Sequence, residues 1–440
     1  MISKWSKMQL GEVADVCVSG VDKKTLPNEI PVRLCNYTDV YYNWAIREEK
    51  SQTFMLASAK QDEIAKFRLH AGQVAITKDS ETREDIGHAT FIANDFDDVI
   101  LGYHCALITP HAGKLDGQYL NALFRMHYVS DYLSRNAGGS GQRYYLSESA
   151  IKSIPLFLPP INAQLRIAGV LGSIDEKIEL NRKKITELEA LAKTIYDYWF
   201  VQFDFPDKNG KPYKSSGGKM GWNDQLKREV PEGWEVARIG SHIRSNRGIS
   251  YSTKNIASGK GFPMINLNSF NVDSTYKVAG IKTFEGDVLD NKLLEPFDLV
   301  MCNTQQTDLD PKKDIIGKSF LVPDIFDSPV TSSHHVTSIH VDDDDLKVFL
   351  NSMFHTREFH SYISGFASGT SIRGLNFFGV ESCIAALPPK PLLSRFASLI
   401  IACEKQKSTI LRDQALLLQP LRDMLLPLLM NGQIEVRGEK

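Results

Sequence analysis

The stretch IAGVLGSIDEKIELNRKKITELEALAKTIYDYWF, residues 167–200, carries apolar residues at alternating steps of four and three. The stripe runs through positions 167, 171, 174, 178, 181, 185, 188, 192, 195 and 199, and its one polar member is Asn181. Such a heptad stripe predicts a long helix that packs against a second helix, with the polar member fixing the register of the pair. We therefore predict a coiled-coil helix after the double proline at 159–160.

A second stripe lies 229 residues further on, from Phe396 to Leu428. Pro420 and Pro427 fall inside it and should kink its last third. One stripe would suit ordinary core packing, but two of them favour an antiparallel coiled coil between two long helices. We assign to its seam Leu171, Ile174, Ile178, Asn181, Ile185, Leu188, Ile195, Ile400, Ile410, Leu417 and Leu421.

The two stripes belong to a repeat of the whole chain. WSKMQLGEVADV from Trp5 is answered by WEVARIGSHIRS from Trp234, and YLNALF from Tyr119 by FLNSMF from Phe349. AGGSGQR from Ala137 likewise matches ASGTSIR from Ala367. Matches in the same order at a near-constant offset of about 230 indicate a tandem duplication.

Each repeat opens with short β-branched and aromatic runs, broken by turns and mixed with helical segments. We therefore predict an α+β protein with a pseudo-twofold internal repeat: two tandem mixed α/β domains separated by two long antiparallel coiled-coil helices. The predicted parts are a first domain at 1–158, a central helix at 159–203, a solvated linker at 204–231, a second domain at 232–388, and a C-terminal helix and tail at 389–440.

Composition narrows the class of protein. The formal charge of −2 excludes a uniformly basic nucleic-acid coat but not local basic patches. The six cysteines are scattered without a CxxC pair, which is typical of reduced thiols. No stretch resembles a signal peptide or an apolar membrane span, so we expect a cytoplasmic protein.

The chain lacks the common catalytic patterns, including the phosphate loop GxxxxGK[ST], GxGxxG and HExxH. His334 and His335 have no third metal ligand at suitable spacing, so no metal site is predicted. Asp324, Asp345 and Lys347 loosely fit the PD-(D/E)xK pattern of metal-dependent nucleases. The acidic run at 342–345, however, precedes a predicted helix, where acids cap the positive end. A stand-alone nuclease is therefore an alternative only, as is a coiled-coil scaffold that does not bind DNA.

Three longer motifs resemble a known family: GSGQRYYLSESAIKSIPLFLPPINAQLRIAGVLGSIDEKIELN from Gly139, LAKTIYDYWFVQFDFPDKNGKPYKSSGGKM from Leu191, and LRDMLLPLLMNGQIEV from Leu421. The chain is similar to the specificity subunits of type I restriction-modification systems. The resemblance implies that both domains are target-recognition domains, and that the subunit is non-catalytic and reads a bipartite double-stranded DNA sequence. It further implies recruitment of methyltransferase subunits, two in number, and of restriction subunits that act as translocases. S-adenosylmethionine, ATP and Mg²⁺ are then expected on those partners, and no cofactor on this chain.

Residues that contact DNA are sought among side chains that reach base edges or phosphates. The loop TKDSETRED and the glycine cluster supply the first domain's candidates, and the matching segments supply those of the second. Because the two loops match in position but differ in composition, we expect them to read different half-sites. We also predict that the amides of residues 139–141 and Arg143 contact a phosphate. The candidates are Lys78, Ser80, Arg83, Gly139, Ser140, Gln142, Arg143 and Tyr144, then Thr304, Gln305, Gln306, Lys312, Lys313 and Arg373.

The aromatic end of the central helix leaves two interpretations open. Tyr196, Tyr198, Trp199 and Phe200 are either a surface for partner subunits or part of a domain core.

Overall fold

The computed structural model describes residues 5–141, 143–257, 260–306 and 314–436. Its contacts divide the chain into two compact units. The first comprises Met1–Glu179 with Leu418–Lys440, and the second Leu180–Leu417. Each unit therefore contains one globular domain together with segments of the long helices.

The first domain is built from short strands and short helices. Its strands are β1 (Ser6–Gln9), β2 (Ala14–Val18), β3 (Ile30–Cys35), β4 (Ala45–Ile46), β5 (Met55–Ala59), β6 (Val74–Thr77), β7 (Asp79–Ser80), β8 (Ala89–Ile92), β9 (Val99–Leu101), β10 (Cys105–Pro110), β11 (Gly138–Ser140), β12 (Arg143–Tyr145) and β13 (Pro155–Leu158). Its helices are α1 (Leu10–Val13), α2 (Tyr37–Tyr42), α3 (Glu48–Ser51), α4 (Gln61–Phe67), α5 (Gly117–Leu123), α6 (His127–Asn136) and α7 (Glu148–Lys152), before the long α8 (Ile161–Tyr196).

The second domain repeats this plan. Its strands are β14 (Met220–Asn223), β15 (Arg228–Pro231), β16 (Glu235–Arg238), β17 (Ile243–Arg247), β18 (Ile256–Ala257), β19 (Phe262–Ile265), β20 (Lys282–Phe284), β21 (Leu293–Leu294), β22 (Leu299–Cys302), β23 (Thr304–Gln306), β24 (Ser319–Leu321), β25 (Val330–Ser332), β26 (Val336–Val341), β27 (Ala367–Ser368), β28 (Ile372–Leu375) and β29 (Ile384–Leu387). Its helices are α9 (Asp344–Phe354), α10 (Arg357–Ser364) and α11 (Phe378–Ser382), followed by α12 (Lys390–Asp413) and α13 (Gln419–Met430).

The sheets of the two domains correspond strand by strand. The order β2-β10-β6-β8 in the first domain is matched by β17-β26-β22-β24 in the second. The parallel pair β3·β9 is matched by β19·β25, and the closing pair β1·β13 by β16·β29. A three-stranded sheet β11-β12-β7 is matched by β27-β28-β23. The structure thus confirms the predicted α+β architecture with an internal repeat.

In each domain, a buried interior strand leads into the sheet that carries the candidate site. All four residues of β6, VAIT, and all four of β22, LVMC, are buried. Both strands lie between two neighbours, and a short apolar run of this kind is typical of a fully buried strand. The chain leaves each strand directly into the three-stranded sheet, through β7 in the first domain and β23 in the second.

The long helices pack in the antiparallel order that the stripes predicted. Helix α8 has 36 residues, which corresponds to a length of about 54 Å. Within the first unit, Leu171 near its start shares a core with Leu429 and Met430. Within the second unit, Tyr196 at its end packs against Phe396, near the start of α12.

The last third of the second stripe differs from the prediction. A π-helical turn, Gln414–Leu418, separates α12 from α13, and Pro420 lies in the first turn of α13. The prolines were expected to kink the last third, but α13 includes both of them, and the interruption is the π turn that precedes α13. Because a π turn holds more residues than an α turn, it shifts the phase of the stripe. Leu417 and Leu421 are accordingly 61% and 40% exposed, and their assignment to a buried seam is wrong.

The segment predicted as a solvated linker is an ordered part of the second unit. It contains the hairpin β14·β15, and its aromatic residues Phe203 and Phe205 are buried in the core of that unit. The Asp204 carboxylate accepts hydrogen bonds from the Ser215 amide and hydroxyl and fixes the intervening turn. The lysines and glycines suggested a connector, but the buried aromatic residues attach this segment to the core of the second unit.

The aromatic end of α8 belongs to the same core. Tyr196, Trp199 and Phe200 are buried, and the Phe200 ring meets Phe349 and Phe396 in edge-to-face contacts. Tyr198 alone of the four is exposed. In the parts of the chain that the structure describes, no helix is both long and apolar enough to cross a membrane.

Candidate nucleic-acid interface

The three-stranded sheet of the first domain joins two segments that are distant in sequence. Tyr144 pairs with Ser80 and Tyr145 with Asp79, while β11 and β12 form a hairpin with Ser140 opposite Arg143. The loop that follows β6 and the glycine cluster are therefore one surface. The sequence placed candidate residues in both segments, and the structure brings them together.

Glycine conformation explains the cluster itself. Gly139 has a φ of 101°, and a Cβ at this residue would lie 2.2 Å from the Arg143 carbonyl oxygen. Gly141 also has a positive φ, of 72°, which other residues rarely adopt. The glycines are needed for a tight hairpin, and this requirement is sufficient to account for them. The hairpin leaves Ser140 and Arg143 exposed at its tip.

A polar network supports this sheet from one side. Buried Asp79 accepts hydrogen bonds from Lys78 Nζ at 3.1 Å and His104 Nδ1 at 2.6 Å. Arg143 Nη2 lies beside the same ring, 2.8 Å from His104 Nδ1 and 3.2 Å from His104 Nε2. Arg143 Nη2 is 4.0 Å from the Asp79 carboxylate, and 60% of the Arg143 side chain is exposed. Lys78 is largely covered, so its ammonium acts within the network.

Aromatic rings and cations line the neighbouring surface. The Arg83 guanidinium lies 5.0 Å from the centre of the Tyr144 ring, and Lys78 Nζ lies 5.1 Å from that of Tyr103. These distances suit cation–π contacts. An open groove of about 580 Å³ adjoins them, lined by Lys23, Tyr37, Thr38, Asp79, Ser80, Glu81, Thr82, Asp85, His104 and Arg143.

A second acidic residue that lines this groove, Asp85, is hydrogen-bonded to two neighbouring side chains. Tyr41 donates a hydrogen bond to Asp85 at 2.8 Å, and His88 Nε2 lies 2.7 Å from the same carboxylate oxygen. The hydrogen bond to Asp85, with burial and the carboxylate charge, raises the pKa of Tyr41 to about 12. Tyr41 therefore stays a neutral donor under ordinary conditions.

The corresponding sheet of the second domain has different chemistry. Gln305 pairs with Arg373 across β23·β28, and its side-chain oxygen accepts a hydrogen bond from the Ile315 amide at 2.6 Å. Thr304 donates to the Asn303 side chain at 2.7 Å. Arg373 Nη1 lies 3.7 Å from the Asp314 carboxylate, which is also 3.8 Å from His360 Nε2.

Two residues of the second domain that were predicted to contact DNA are buried. Thr304 and Gln305 are 7% and 6% exposed, and their side chains are hydrogen-bonded inside the domain. They hold the strand in place and are not available for a base edge in this conformation. The side chain of Gln306 and the whole of Gln142, Lys312 and Lys313 lie outside the described residues.

The acidic run of the second domain forms a helix cap. Asp343 is the N-cap of α9 and accepts hydrogen bonds from the Asp345 and Leu346 amides. Burial alone would raise the pKa of Asp343, but hydrogen bonds from Lys390 and these amides outweigh it and lower the pKa. Asp345 is paired with Lys390 at 2.6 Å, and Lys347 with Asp344 at 2.9 Å. Among the described residues, no group of three or more potential metal-ligating side chains comes together, so the nuclease alternative is not favoured.

Several residues of these networks were missed by sequence reasoning, among them His104, Asp314 and His360. These three are remote from the candidate loops or lie beside them without a recognisable pattern. Only the position of His104, immediately before the interior strand β10, offered a signal. A polar residue at the end of a buried strand commonly faces the same edge as the loops around it.

Comparisons with known proteins agree with this architecture. Residues 2–190 match the family model described as the type I restriction modification DNA specificity domain. The chain is 24% identical to the HindI specificity subunit of Haemophilus influenzae, over 98% of this chain and 100% of that protein. It is 25% identical to the MjaIX specificity subunit of Methanocaldococcus jannaschii, over 75% of this chain and 71% of that protein.

A solved structure supports the fold. The S subunit of a type I restriction-modification system from M. genitalium aligns with a TM-score of 0.56 at 12% identity, covering 97% of this chain and 96% of that one. The molecule is thus a duplicated, two-domain protein whose first half carries a DNA specificity domain. The chain is similar to the specificity subunits of type I restriction-modification systems, as the sequence motifs indicated, and its residues 2–190 match their DNA specificity domain.

Proposed function

We propose that this chain reads a bipartite double-stranded DNA target, with one half-site bound by each domain. The observation that carries the proposal is the repeated three-stranded sheet. It occupies the same topological place in both domains, while the residues that enter it are KDS in one and NTQ in the other. A shared frame with different side chains is what two related but unequal half-sites require.

In the first domain, the contact surface comprises the exposed tip of the hairpin and the cations around the groove. Arg83 and Arg143 are exposed, and Ser140 and Tyr144 lie beside them. Arginine contacts both phosphates and guanine edges, and aromatic rings pack against sugars and bases. Lys78 would act indirectly, since it is paired with Asp79. In the second domain Arg373 is the corresponding residue.

The long helices would set the gap between the half-sites. The length of α8, about 54 Å, lies between one and two turns of duplex at ~34 Å each. Inserting four residues, about one helical turn, into both α8 and α12 should lengthen or abolish the recognised gap. An unchanged gap in the methylated motif would contradict this role of the helices.

The chain would act in the cytoplasm as the non-catalytic member of a larger complex. Its duplication provides two related surfaces, which suits two copies of a methyltransferase subunit. Restriction subunits complete the assembly that we propose. S-adenosylmethionine, ATP and Mg²⁺ would be bound by these partners and not by this chain.

The decisive experiment is methylome sequencing of a host with and without this gene. We expect a methylated motif of two short half-sites with an unspecified gap, which disappears on deletion. A motif without a gap, or no change on deletion, would contradict the proposal. Gel-shift binding of the purified chain, with and without the methyltransferase subunit, separates DNA recognition from a scaffold role, because a scaffold would give no sequence-specific shift in either case.

A further inference from the structure

Two arginines occupy the same place in the repeat and lie on the two small sheets. Arg143 is on β12 and Arg373 on β28, each the middle strand of its three-stranded sheet. They are 230 residues apart, the offset of the surrounding match AGGSGQR and ASGTSIR. Their following neighbours, Tyr144 and Gly374, differ entirely. The two segments thus share the arginine, together with Ala137/Ala367 and Gly139/Gly369, although the residue that follows the arginine differs.

Both arginines face a carboxylate that is also close to a histidine. Around Arg143 these are Asp79, at 4.0 Å from Nη2, and His104, whose Nδ1 lies 2.6 Å from the same Asp79 oxygen. Around Arg373 they are Asp314, at 3.7 Å from Nη1, and His360, at 3.8 Å from that carboxylate.

The surroundings of the two arginines are built from unrelated positions. At the offset of 230, His104 corresponds to His334 and not to His360. The same arrangement of arginine, carboxylate and histidine is therefore assembled twice from different parts of the chain. Retention of the arrangement, in spite of this exchange of residues, points to a requirement on the arginine itself.

We propose, on the premise that the small sheets lie against DNA as argued above, that Arg143 and Arg373 each read a guanine in their respective half-sites. A guanidinium presents a planar fork that matches guanine O6 and N7 in the major groove. The carboxylates lie 4.0 and 3.7 Å from the guanidinium nitrogens, an ion-pair distance at which their charge biases the orientation of each fork, and a biased orientation favours the reading of a planar base edge. This replaces the phosphate contact that the sequence suggested for Arg143.

The charge of the carboxylates favours a base over a phosphate. Asp79 is almost fully buried, so its charge is poorly screened by solvent. A phosphate on the far side of the Arg143 guanidinium would be repelled by Asp79, which offsets part of its attraction to the arginine. The acceptors of guanine carry no net charge and avoid this repulsion. Asp314, which is also largely covered, plays the same part behind Arg373.

The test uses the full chain assembled with its methyltransferase subunits. Arg143→Lys and Arg373→Lys keep the positive charge but remove the fork. Each should lower the preference for one G·C pair in one half-site by about 5- to 150-fold, and leave the other half-site unchanged. Arg135→Lys and Arg244→Lys are matched controls, since these are exposed arginines that are paired with Asp131 and Asp342 and belong to neither small sheet.

A second arm uses the wild-type complex and so does not depend on how the variants fold. At the affected position, 7-deazaguanine lacks N7 and should weaken binding, whereas hypoxanthine keeps O6 and N7 and should bind as guanine does. Failure of 7-deazaguanine to weaken binding at any G·C pair of either half-site would overturn the proposal.

Two further outcomes separate the inference from the proposed function. If Arg143→Ala leaves the motif unchanged and lowers the slope of log binding constant against log salt by about 1, the arginine contacts a phosphate and the inference is wrong. The bipartite reading would stand in that case. If the wild-type complex shows no bipartite motif, the proposed function fails first and the inference fails with it.

Discussion

In both domains the chain passes from the interior strand directly into the three-stranded sheet. The side chains that stabilise this connection differ between the two domains. After β6 the residues are Lys78, Asp79 and Ser80, and the buried Asp79 is held by charged or ionisable neighbours. After β22 they are Asn303, Thr304 and Gln305, which form neutral hydrogen bonds within the domain. The shared frame, meaning the backbone of the three-stranded sheet, is therefore determined by strand pairing and glycines. The polar side chains that support it are determined separately, by the short segments after β6 and β22.

The separation explains how one fold accommodates different half-sites. Backbone pairing positions the small sheet in each domain, and side chains on it are exchanged without disturbing the pairing. An ionic support in one domain and a neutral support in the other should respond differently to salt and acid. Substitutions of the hairpin glycines should lower stability equally in both domains. Substitutions of the supporting polar side chains should have different effects in the two domains.

The largest effect is expected from the glycines of the shared frame. Gly139→Ala and Gly369→Ala would each place a Cβ at about 2 Å from a backbone carbonyl oxygen, at residues with φ of 101° and 130°. We expect each to destabilise its hairpin by about 3 kcal/mol, measured as lost amide-exchange protection in that hairpin alone.

Gly374→Ala is the matched control, because a Cβ there meets no atom within 4 Å. A large effect in one domain and none in the other would show that the two frames are not equivalent.

The next effect tests the neutral support. Gln305→Ala removes the acceptor of the Ile315 amide at a position that is 6% exposed. Leaving such a donor without its partner costs about 2 kcal/mol. We expect that loss in urea denaturation of the second unit, with the same value at low and high salt. Gln225→Ala, at an exposed residue, is the control, and a salt-dependent loss for Gln305→Ala would contradict a neutral role.

A smaller effect is expected from the ionic support. Asp79→Asn keeps the shape of the side chain but removes the charge that pairs with Lys78 and His104. We expect a loss of about 1 kcal/mol at low salt that shrinks as salt rises. The same substitution at Asp131, an exposed partner of Arg135, should have little effect. Equal losses at all salt concentrations would mean that hydrogen bonding, and not charge, holds this strand.

Sequence reasoning succeeded where a pattern is local or repeated. The offset of 230 revealed the duplication, and the heptad stripe revealed α8. The acids at 342–345 were correctly interpreted as a cap of α9. In each case the physical cause lies within a few turns or in a direct comparison of two segments.

The failures concern which residues meet across the fold. Nothing local shows that Phe203 and Phe205 would anchor the predicted linker, or that Gln305 would be buried. A charged contact at the helix seam was also not predicted. Lys407 Nζ, in α12, lies 3.5 Å from Glu189 in α8 and 2.9 Å from Glu404. A stripe identifies an apolar face, but it does not reveal the partner of a charge placed within that face.

The smallest effect is an acid dependence at the parallel strand pair, which only the pair of the first domain should show. Arg33 donates two hydrogen bonds to Asp98, at 2.8 and 2.6 Å, across the parallel pair β3·β9, whereas β19 and β25 contain no charged residue. These hydrogen bonds, opposed by partial burial, lower the pKa of Asp98. A lowered folded-state pKa gives stability that is present above the unfolded value of about 3.9 and is lost as pH falls through the folded value.

Asp98→Asn should therefore destabilise the first unit by about 0.5 kcal/mol at pH 7, since the Asp98 side chain is half exposed. The difference from wild type should shrink below about pH 5, because the wild-type carboxyl then begins to take up protons in the unfolded state. Urea denaturation from pH 7 to pH 4 measures it, with the exposed neighbour substitution Asp97→Asn as control. A deficit that stays constant over this range would assign the effect to the shape of the side chain and not to its charge.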